Sequence, residues 1–319
     1  MFEYLCNLFQ AADKTPLVTG IRSLNLTSTT REGSTLSSPA VLIRSGLITA
    51  MVSVSLLFSV ISASASTFSA SSGNVKATFS VSGTFPQAKD GRLTIFRSGK
   101  AVEHVVVSSK WCGHQCWPNS VSSKQSVVHV VRLTPHGPLD IVLDLYSGGA
   151  HCCAIEQVYF FDSSTGKYKK VEHNFGDPGI KLLPLGKGGS ELFLTADDRF
   201  AYAFTDYAAS GMPIEIDSFS HGTFQRVTKE FPELIAKDAR QYRIAFFDSA
   251  SSKYDDTVGL AAAWAADEDM LGHFSLVRNF LHQESQVGHL NSGLYPIQPS
   301  GAKYVVALQK FLRHNGYLK

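Results

Sequence analysis

The sequence predicts an α+β protein in which an antiparallel β-repeat domain, either partly propeller-like or sandwich-like, is followed by a helical C-terminal domain. Three observations support this prediction: strand-like alternation from residue 67, two similar units about fifty residues apart before residue 227, and helical periodicity after it. The chain has 319 residues, of which 44% are hydrophobic and 18% charged, so it can bury a substantial core. Its formal charge of +2 argues against a nucleic-acid partner.

Residues 44–65 have the features of an export signal. A positively charged residue, an apolar run and a small-residue pattern follow one another, and cleavage is predicted after Ala65. An uncleaved signal anchor remains the alternative, because the apolar run approaches the roughly 20 residues that span a bilayer. Residues 1–43 are rich in Ser and Thr without periodicity and are predicted to be a disordered extension. We therefore expect an exported protein of the envelope or the extracellular space, or a single-pass membrane protein if the signal is uncleaved.

Four of the five cysteines follow the signal segment: Cys112, Cys116, Cys152 and Cys153. An even number in an oxidising compartment predicts two disulfides. Adjacent side chains in an extended segment point to opposite sides, so we expect each of the last two cysteines to bond one of the first two, in either order. Zinc is the competing interpretation, because His114 and His151 lie beside these cysteines. The usual C-x2-C spacing is missing, however, and export favours oxidised sulfur.

The stretch LDIVLDLYSGGAHCC at 139–153 combines an apolar strand with a glycine turn. Its nearly continuous apolar character is typical of a strand that is covered on both faces. Gly148 and Gly149 allow a sharp reversal, which would hold His151 and the two cysteines at the strand end. We favour a turn fixed by disulfides over a metal or catalytic site.

The loop WCGHQCWP at 111–118 contains two tryptophans. Trp111 and Trp117 could form a surface platform for a ligand, although packing over a disulfide is their commoner role. Together with His114 and His151, they are the candidate ligand or metal residues of the sequence.

Two units between residues 133 and 227 repeat the same order of loop, strand, turn with Tyr and Gly, second strand and closing glycine turn. The first closes with GKYKKV at 166–171 and the second with GTFQRV at 222–227. Such antiparallel units bury their faces by stacking on neighbours. Two copies are too few for a closed propeller, so a partial repeat and a sandwich-like arrangement both stay open.

DLYSGGAHCC at 144–153, with FAYAFTDYAASGMPIEI at 200–216 and VTKEFP at 227–232, resembles a group of exported bacterial proteins of undetermined function that have FG-GAP or VCBS-like β repeats. The resemblance covers about residues 67–318. It implies calcium-binding loops before the strands, but the matching loops here keep one carboxylate each, Asp140 and Glu191. We therefore expect no calcium at these loops and no cofactor.

The pattern changes to helices after residue 227. Thr228 is predicted to cap the first helix, with Pro232 in its opening turn. The last helix carries Val305, Leu308, Gln309 and Leu312, followed by Gly316 and Tyr317. This pattern resembles the opening of a peptidoglycan-binding module, but the match is one helix long. The neighbouring carboxylates Asp267, Glu268 and Asp269 diverge around a helix axis and are predicted to form a solvated face. Asp197 and Asp198 are predicted to form a charged hairpin tip.

The sequence contains no recognised nucleophile motif, zinc-protease motif or phosphate-binding loop, so we predict no catalytic residue and no metal. The predicted function is that of an exported, non-enzymatic envelope or extracellular protein, with a β-repeat domain at 66–227 and a helical domain at 228–319. Its partner is expected to be an unknown protein or a cell-wall polymer, and a membrane only if the signal is uncleaved. The alternatives are an extracytoplasmic enzyme or zinc-dependent protein centred on the Cys/His cluster, and a structural envelope component.

Overall fold

A computed structural model describes residues 65–83, 89–112, 116–119, 126–252, 256–291 and 298–318. The predicted extension at 1–43 and the signal segment up to residue 64 lie outside these residues. One compact unit spans Ala63–Lys319. No helix in the described ranges is long and apolar enough to cross a membrane. The division into a β-repeat domain at 66–227 and a helical domain at 228–319 stays a prediction.

The β part consists of three antiparallel sheets that follow one another along the chain. The first sheet has the order β1-β2-β3-β4, with β1 at Ala65–Ser72, β2 at Val75–Ser82, β3 at Lys89–Arg97 and β4 at Lys100–Val106. The middle sheet has the order β5-β7-β8-β9, with β6 also paired to β7; its strands are β5 at Trp117–Pro118, β6 at Val128–Val131, β7 at Asp140–Gly149, β8 at Cys152–Asp162 and β9 at Lys167–Asn174. The third sheet has the order β10-β11-β12-β13, with β10 at Lys181–Leu183, β11 at Leu192–Ala196, β12 at Ile214–Ser220 and β13 at Thr223–Arg226.

The middle sheet is covered on both faces, as the apolar run in β7 predicts. On one face, Ile141 and Leu143 of β7 share a core with Phe79 of the first sheet. On the other face, Val142 shares a second core with Phe193 of the third sheet. Successive side chains of a strand point to opposite faces, so a nearly continuous apolar run is what a two-sided core requires.

The two predicted repeat units correspond to β7-β8-β9 and β11-β12-β13, each a run of three antiparallel strands. Each closes with a hairpin, at Gly166 with a φ of 70° and at Gly222 with a φ of 85°. These left-handed backbone angles favour glycine, which is why glycine opens both closing motifs. The α+β fold class is confirmed.

Four helices follow in the described part of the chain: α1 at Pro232–Ala250, α2 at Val258–Met270, α3 at Phe274–Gln286 and α4 at Gly301–His314. Pro232 occupies the first turn of α1, as expected. The predicted cap is wrong: Thr228 lies in a preceding 3-10 turn. Its Oγ1 accepts the backbone N–H of Ile216 at 2.9 Å, which joins the helical part to β12 instead of starting a helix.

Helix α2 lies at the centre of the helical part and is buried on nearly every side. The predicted solvated face at its end is therefore wrong, since Asp267 is fully buried and Asp269 is 3% exposed. Asp267 forms a carboxyl pair with Asp238 of α1. The Oδ2 atom of Asp238 also accepts the backbone N–H of Ile214 at 3.0 Å. The acidic residues thus lie between helices and sheet, away from the solvent.

Candidate functional site

The turn between β7 and β8 is built tightly around Trp117. Gly148 has a φ of 89°, and a Cβ at this position would collide with the indole ring of Trp117. The hydroxyl of Tyr146 donates a hydrogen bond to the carbonyl of Gly149. Ser147 Oγ accepts the N–H of Cys153 at 2.6 Å. The glycines therefore serve this turn in the way that the sequence predicts.

All four cysteines that follow the signal segment are in disulfides, and the partners are Cys112 with Cys116 and Cys152 with Cys153. The prediction that Cys152 and Cys153 each bond one of the two earlier cysteines is therefore wrong. The Cα atoms of Cys112 and Cys116 lie 5.0 Å apart, within the usual range for a direct bond.

Three ring side chains converge beside this turn, and we call them the aromatic cluster: His151, Tyr202 and Tyr207. The ring centroids of His151 and Tyr207 are 4.1 Å apart, those of Tyr202 and Tyr207 5.7 Å, and those of His151 and Tyr202 6.1 Å. His151 comes from the β7–β8 turn, whereas both tyrosines follow β11. The cluster remains open to solvent, because Tyr202 is 53% exposed and the His151 side chain 48%.

A carboxylate accompanies the aromatic cluster. Asp177 Oδ2, just after β9, lies 3.8 Å from His151 Nδ1. Burial raises the pKa of Asp177 and the neighbouring His151 opposes that rise. Asp198 is close by, because its carboxylate packs against the backbone of Gly176. Burial, with the charges of Asp197 and Asp177, raises the pKa of Asp198.

Tyr202 adopts an unusual backbone conformation, with a φ of 60°. This left-handed region is unfavourable for a bulky residue and costs about 1–3 kcal/mol when surrounding contacts impose it. The N–H of Tyr202 donates to Ser210 Oγ at 3.1 Å, and that hydroxyl donates to the carbonyl of Asp206 at 2.7 Å. A folded loop thus holds an exposed tyrosine in a strained conformation.

The four candidate residues of the sequence do not form one site. His151 belongs to the aromatic cluster, and Trp117 is half-buried beneath the turn, packed against the first core. Trp111 is 43% exposed, with Lys110 Nζ 4.8 Å from the centre of its ring. His114 lies outside the described residues. No group of three metal-ligating side chains is found within the described ranges.

Sequence reasoning missed the partners of His151. Tyr202, Tyr207 and Asp177 lie between about 25 and 55 positions downstream of it. The tyrosines do occur in the conspicuous stretch FAYAFTDYAASG at 200–211, which the repeat assigns to a turn. The equivalent turn of the first repeat unit contains His151. Equivalent turns of neighbouring repeat units lie close together, and this is the signal from which the contact of His151 with the tyrosines could have been predicted.

A charged cleft lies along the third sheet. It contains a cavity of about 350 Å³ that is lined by Arg199, Arg226 and His173, among others. Arg226 Nε donates to Asp217 Oδ1 at 2.7 Å, and Arg199 Nε donates to Asp197 Oδ1 at 2.7 Å. Burial nevertheless raises the pKa of Asp217 to about 6. The arginines are satisfied by carboxylates, so this cleft has the character of a structural ion-pair network.

Asp197 is itself the anchor of that network, which corrects the prediction of a charged hairpin tip. It is 2% exposed and accepts a hydrogen bond from Tyr317 Oη at 2.7 Å. Tyr317 follows α4, so this bond ties the C-terminal helix to the third sheet. A buried carboxylate with an arginine and a tyrosine as donors is satisfied and needs no ligand.

A second buried carboxyl pair lies within the middle sheet, on neighbouring strands. Asp144 and Glu156 are directly opposite each other in the pairing of β7 with β8. Burial, together with the charge of Asp144, raises the pKa of Glu156 well above its ordinary value. His129 Nε2 lies 2.9 Å from Asp144 Oδ2. Although burial alone would lower the pKa of His129, its hydrogen bond to Asp144 raises it. Glu156 is fully buried, whereas the His129 side chain is 29% exposed.

The chain is similar to a probable thylakoid lumen protein of the cyanobacterium Synechocystis sp.. The two are 25% identical over 199 residues, which is 56% of this chain and 56% of the relative. The chain thus matches about half the length of that curated relative. No family model matches the chain, and no solved structure matches it.

Proposed function

We propose that the chain is an exported, non-enzymatic protein that binds a cell-wall polymer through the aromatic cluster. The observation that carries this proposal is the convergence of His151, Tyr202 and Tyr207, from separate parts of the chain, into an exposed group beside Asp177. Exposed aromatic rings offer a large apolar contact area with polar tips, and they are enriched where proteins bind partners.

Export is supported by three independent features. The sequence has a signal pattern at 44–65. The disulfide between Cys112 and Cys116 is typical of proteins in oxidising compartments. The relative is named as a lumen protein, and a lumen lies across a membrane from the site of synthesis. The FG-GAP or VCBS-like assignment belongs to this proposal too, supported by the matching three-strand runs β7-β8-β9 and β11-β12-β13.

The backbone of Tyr202 favours a binding role over a structural one. Its side chain is 53% exposed, so burial of the ring contributes little to the free energy of unfolding. A strained φ at such a residue lowers stability and is typically found at functional positions. We infer that the loop holds the ring in place for a contact with something outside the chain.

Co-sedimentation with purified, insoluble peptidoglycan sacculi tests the proposal. We expect the exported protein to sediment with sacculi, Tyr202→Ala to lose most of this binding, and Trp111→Ala to keep it. Trp111 is a matched control, because it is an exposed aromatic residue outside the cluster. Equal sedimentation of wild type and Tyr202→Ala, with both proteins folded by circular dichroism, would contradict the proposal.

A further inference from the structure

We propose that the group received by the aromatic cluster is an organic ammonium ion, held against the ring faces and the neighbouring carboxylates. This inference rests on the proposed function and specifies the chemistry of the same site. It follows from the charges around the cluster, the mutual inclination of its rings and the conformation of Tyr202.

The surroundings of the aromatic cluster are acidic. Asp177 Oδ2 is 3.8 Å from His151, and the carboxylate of Asp198 packs against Gly176, next in the chain to Asp177. Asp206 precedes Tyr207 directly and accepts the N–H of Ala209 at 2.9 Å. A positively charged ligand would meet complementary charge at this surface.

The nearest basic residue along the chain, Arg199, offsets only part of this charge: it lowers the pKa of Asp198, but burial and the charges of Asp197 and Asp177 raise that pKa overall. Arg199 lies between Asp198 and the tyrosines in sequence, but its Nε donates to Asp197 at 2.7 Å and its Nη1 donates to Asn315 Oδ1 at 3.0 Å. The guanidinium is thus engaged by the charged cleft. Its charge is therefore shared between the charged cleft and Asp198.

The ring orientations favour a rounded cation over a flat sugar. The planes of His151 and Tyr202 are inclined by 80°, those of Tyr202 and Tyr207 by 44°, and those of His151 and Tyr207 by 36°. A pyranose ring stacks on a flat platform, which rings at these angles do not provide. A compact ammonium group can be attracted by the two differently inclined faces of Tyr202 and Tyr207 at once, because each phenol face carries negative electrostatic potential.

The decisive comparison uses two probes of the same shape. Choline carries a trimethylammonium group, and 3,3-dimethyl-1-butanol has a neutral carbon in place of the nitrogen. We expect ligand-observed NMR with the exported protein to show choline binding at millimolar concentration, roughly 2- to 30-fold more tightly than the alcohol, as expected for a cation–π contact of about 0.5–2 kcal/mol. Equal binding of the two probes, or no binding of choline, would overturn the inference.

Variants assign this binding to the cluster. Tyr202→Ala is expected to abolish choline binding, whereas Tyr202→Phe keeps the ring and is expected to retain it. Asp177→Asn removes one neighbouring charge with little change of volume and should weaken binding about 3- to 10-fold. Trp111→Ala should bind as wild type does. Retention of choline binding by folded Tyr202→Ala would overturn the assignment.

The two proposals fail separately. If sacculi sediment the wild type but not Tyr202→Ala, while N-acetylglucosamine binds and choline does not, the proposed function stands and the ammonium assignment is wrong. If choline binds in a Tyr202-dependent manner but sacculi sediment neither protein, the ammonium site stands and the cell-wall polymer is not its ligand. If choline competes the protein off sacculi, both are supported.

Discussion

The carboxyl pair of Asp238 and Asp267 makes stability depend on pH in a direction opposite to that of most acidic residues. Burial, partly offset by hydrogen bonds from Asp267 and from the Ile214 N–H, raises the pKa of Asp238 from 3.8 to about 7. Between these values the folded chain holds a proton that the unfolded chain releases. The free energy of unfolding therefore falls as pH rises from about 4 to about 7.

The size of this effect follows from the change in pKa. One pKa unit corresponds to about 1.4 kcal/mol, so a rise of about three units costs up to about 4 kcal/mol once the pH exceeds 7. Asp238→Asn removes the ionisable group and keeps an oxygen that can accept the N–H of Ile214. Relative to the wild type, we expect the variant to gain up to about 4 kcal/mol between pH 4 and pH 7.

Urea denaturation at pH 4, 5.5 and 7, followed by far-ultraviolet circular dichroism, measures this difference. Asp248→Asn is the matched control, because Asp248 is an exposed aspartate on the same helix α1. The control should differ from wild type by a similar amount at all three pH values. If the difference between wild type and Asp238→Asn is also constant with pH, Asp238 does not hold a proton in the folded chain and the reasoning is wrong.

Two further predictions concern single contacts. Gly148→Ala forces an unfavourable φ and a collision with the indole ring of Trp117, so it should lower the free energy of unfolding by about 2–4 kcal/mol. Gly166→Ala is the control, because its added Cβ meets open space, and it should lower the free energy of unfolding by about 1 kcal/mol. Equal losses in thermal unfolding would contradict the tight packing of the turn. Tyr317→Phe removes the hydroxyl that donates to buried Asp197, so it should lower the free energy of unfolding by about 1–3 kcal/mol at pH 7. A decrease below about 0.5 kcal/mol in urea denaturation would mean that this hydrogen bond contributes little to stability.

The strand-like alternation that begins at residue 67 predicted strands correctly, because such a pattern depends on neighbouring residues alone. Alternation at Val75, Ala77, Phe79 and Val81 corresponds to β2, where all four are buried. The pair Ser98 and Gly99 forms the turn between β3 and β4, with φ values of 50° and 79°. Both features need only the period of a strand and the conformational freedom of a turn residue.

The misplaced carboxylates and the missed aromatic cluster share another cause, since each involves a contact between distant segments. The sequence around Asp267 predicts a surface residue, but packing of its helix against α1, α3 and α4 buries it. The aromatic cluster requires His151 to meet tyrosines about fifty residues downstream. Hydrophobic periodicity describes which face of an element is buried, but it does not say which charged side chains the fold will bring together.

The double coverage of the middle sheet has a consequence for how the chain opens. The first core joins the first and middle sheets, and the second core joins the middle and third sheets. An outer sheet can separate while the middle sheet keeps one packed face, but the amides of β7 and β8 become accessible to solvent water only when the pairing between them breaks. Native-state hydrogen exchange should consequently be slowest in these two strands and faster in the first sheet, whose strand β4 has an open edge.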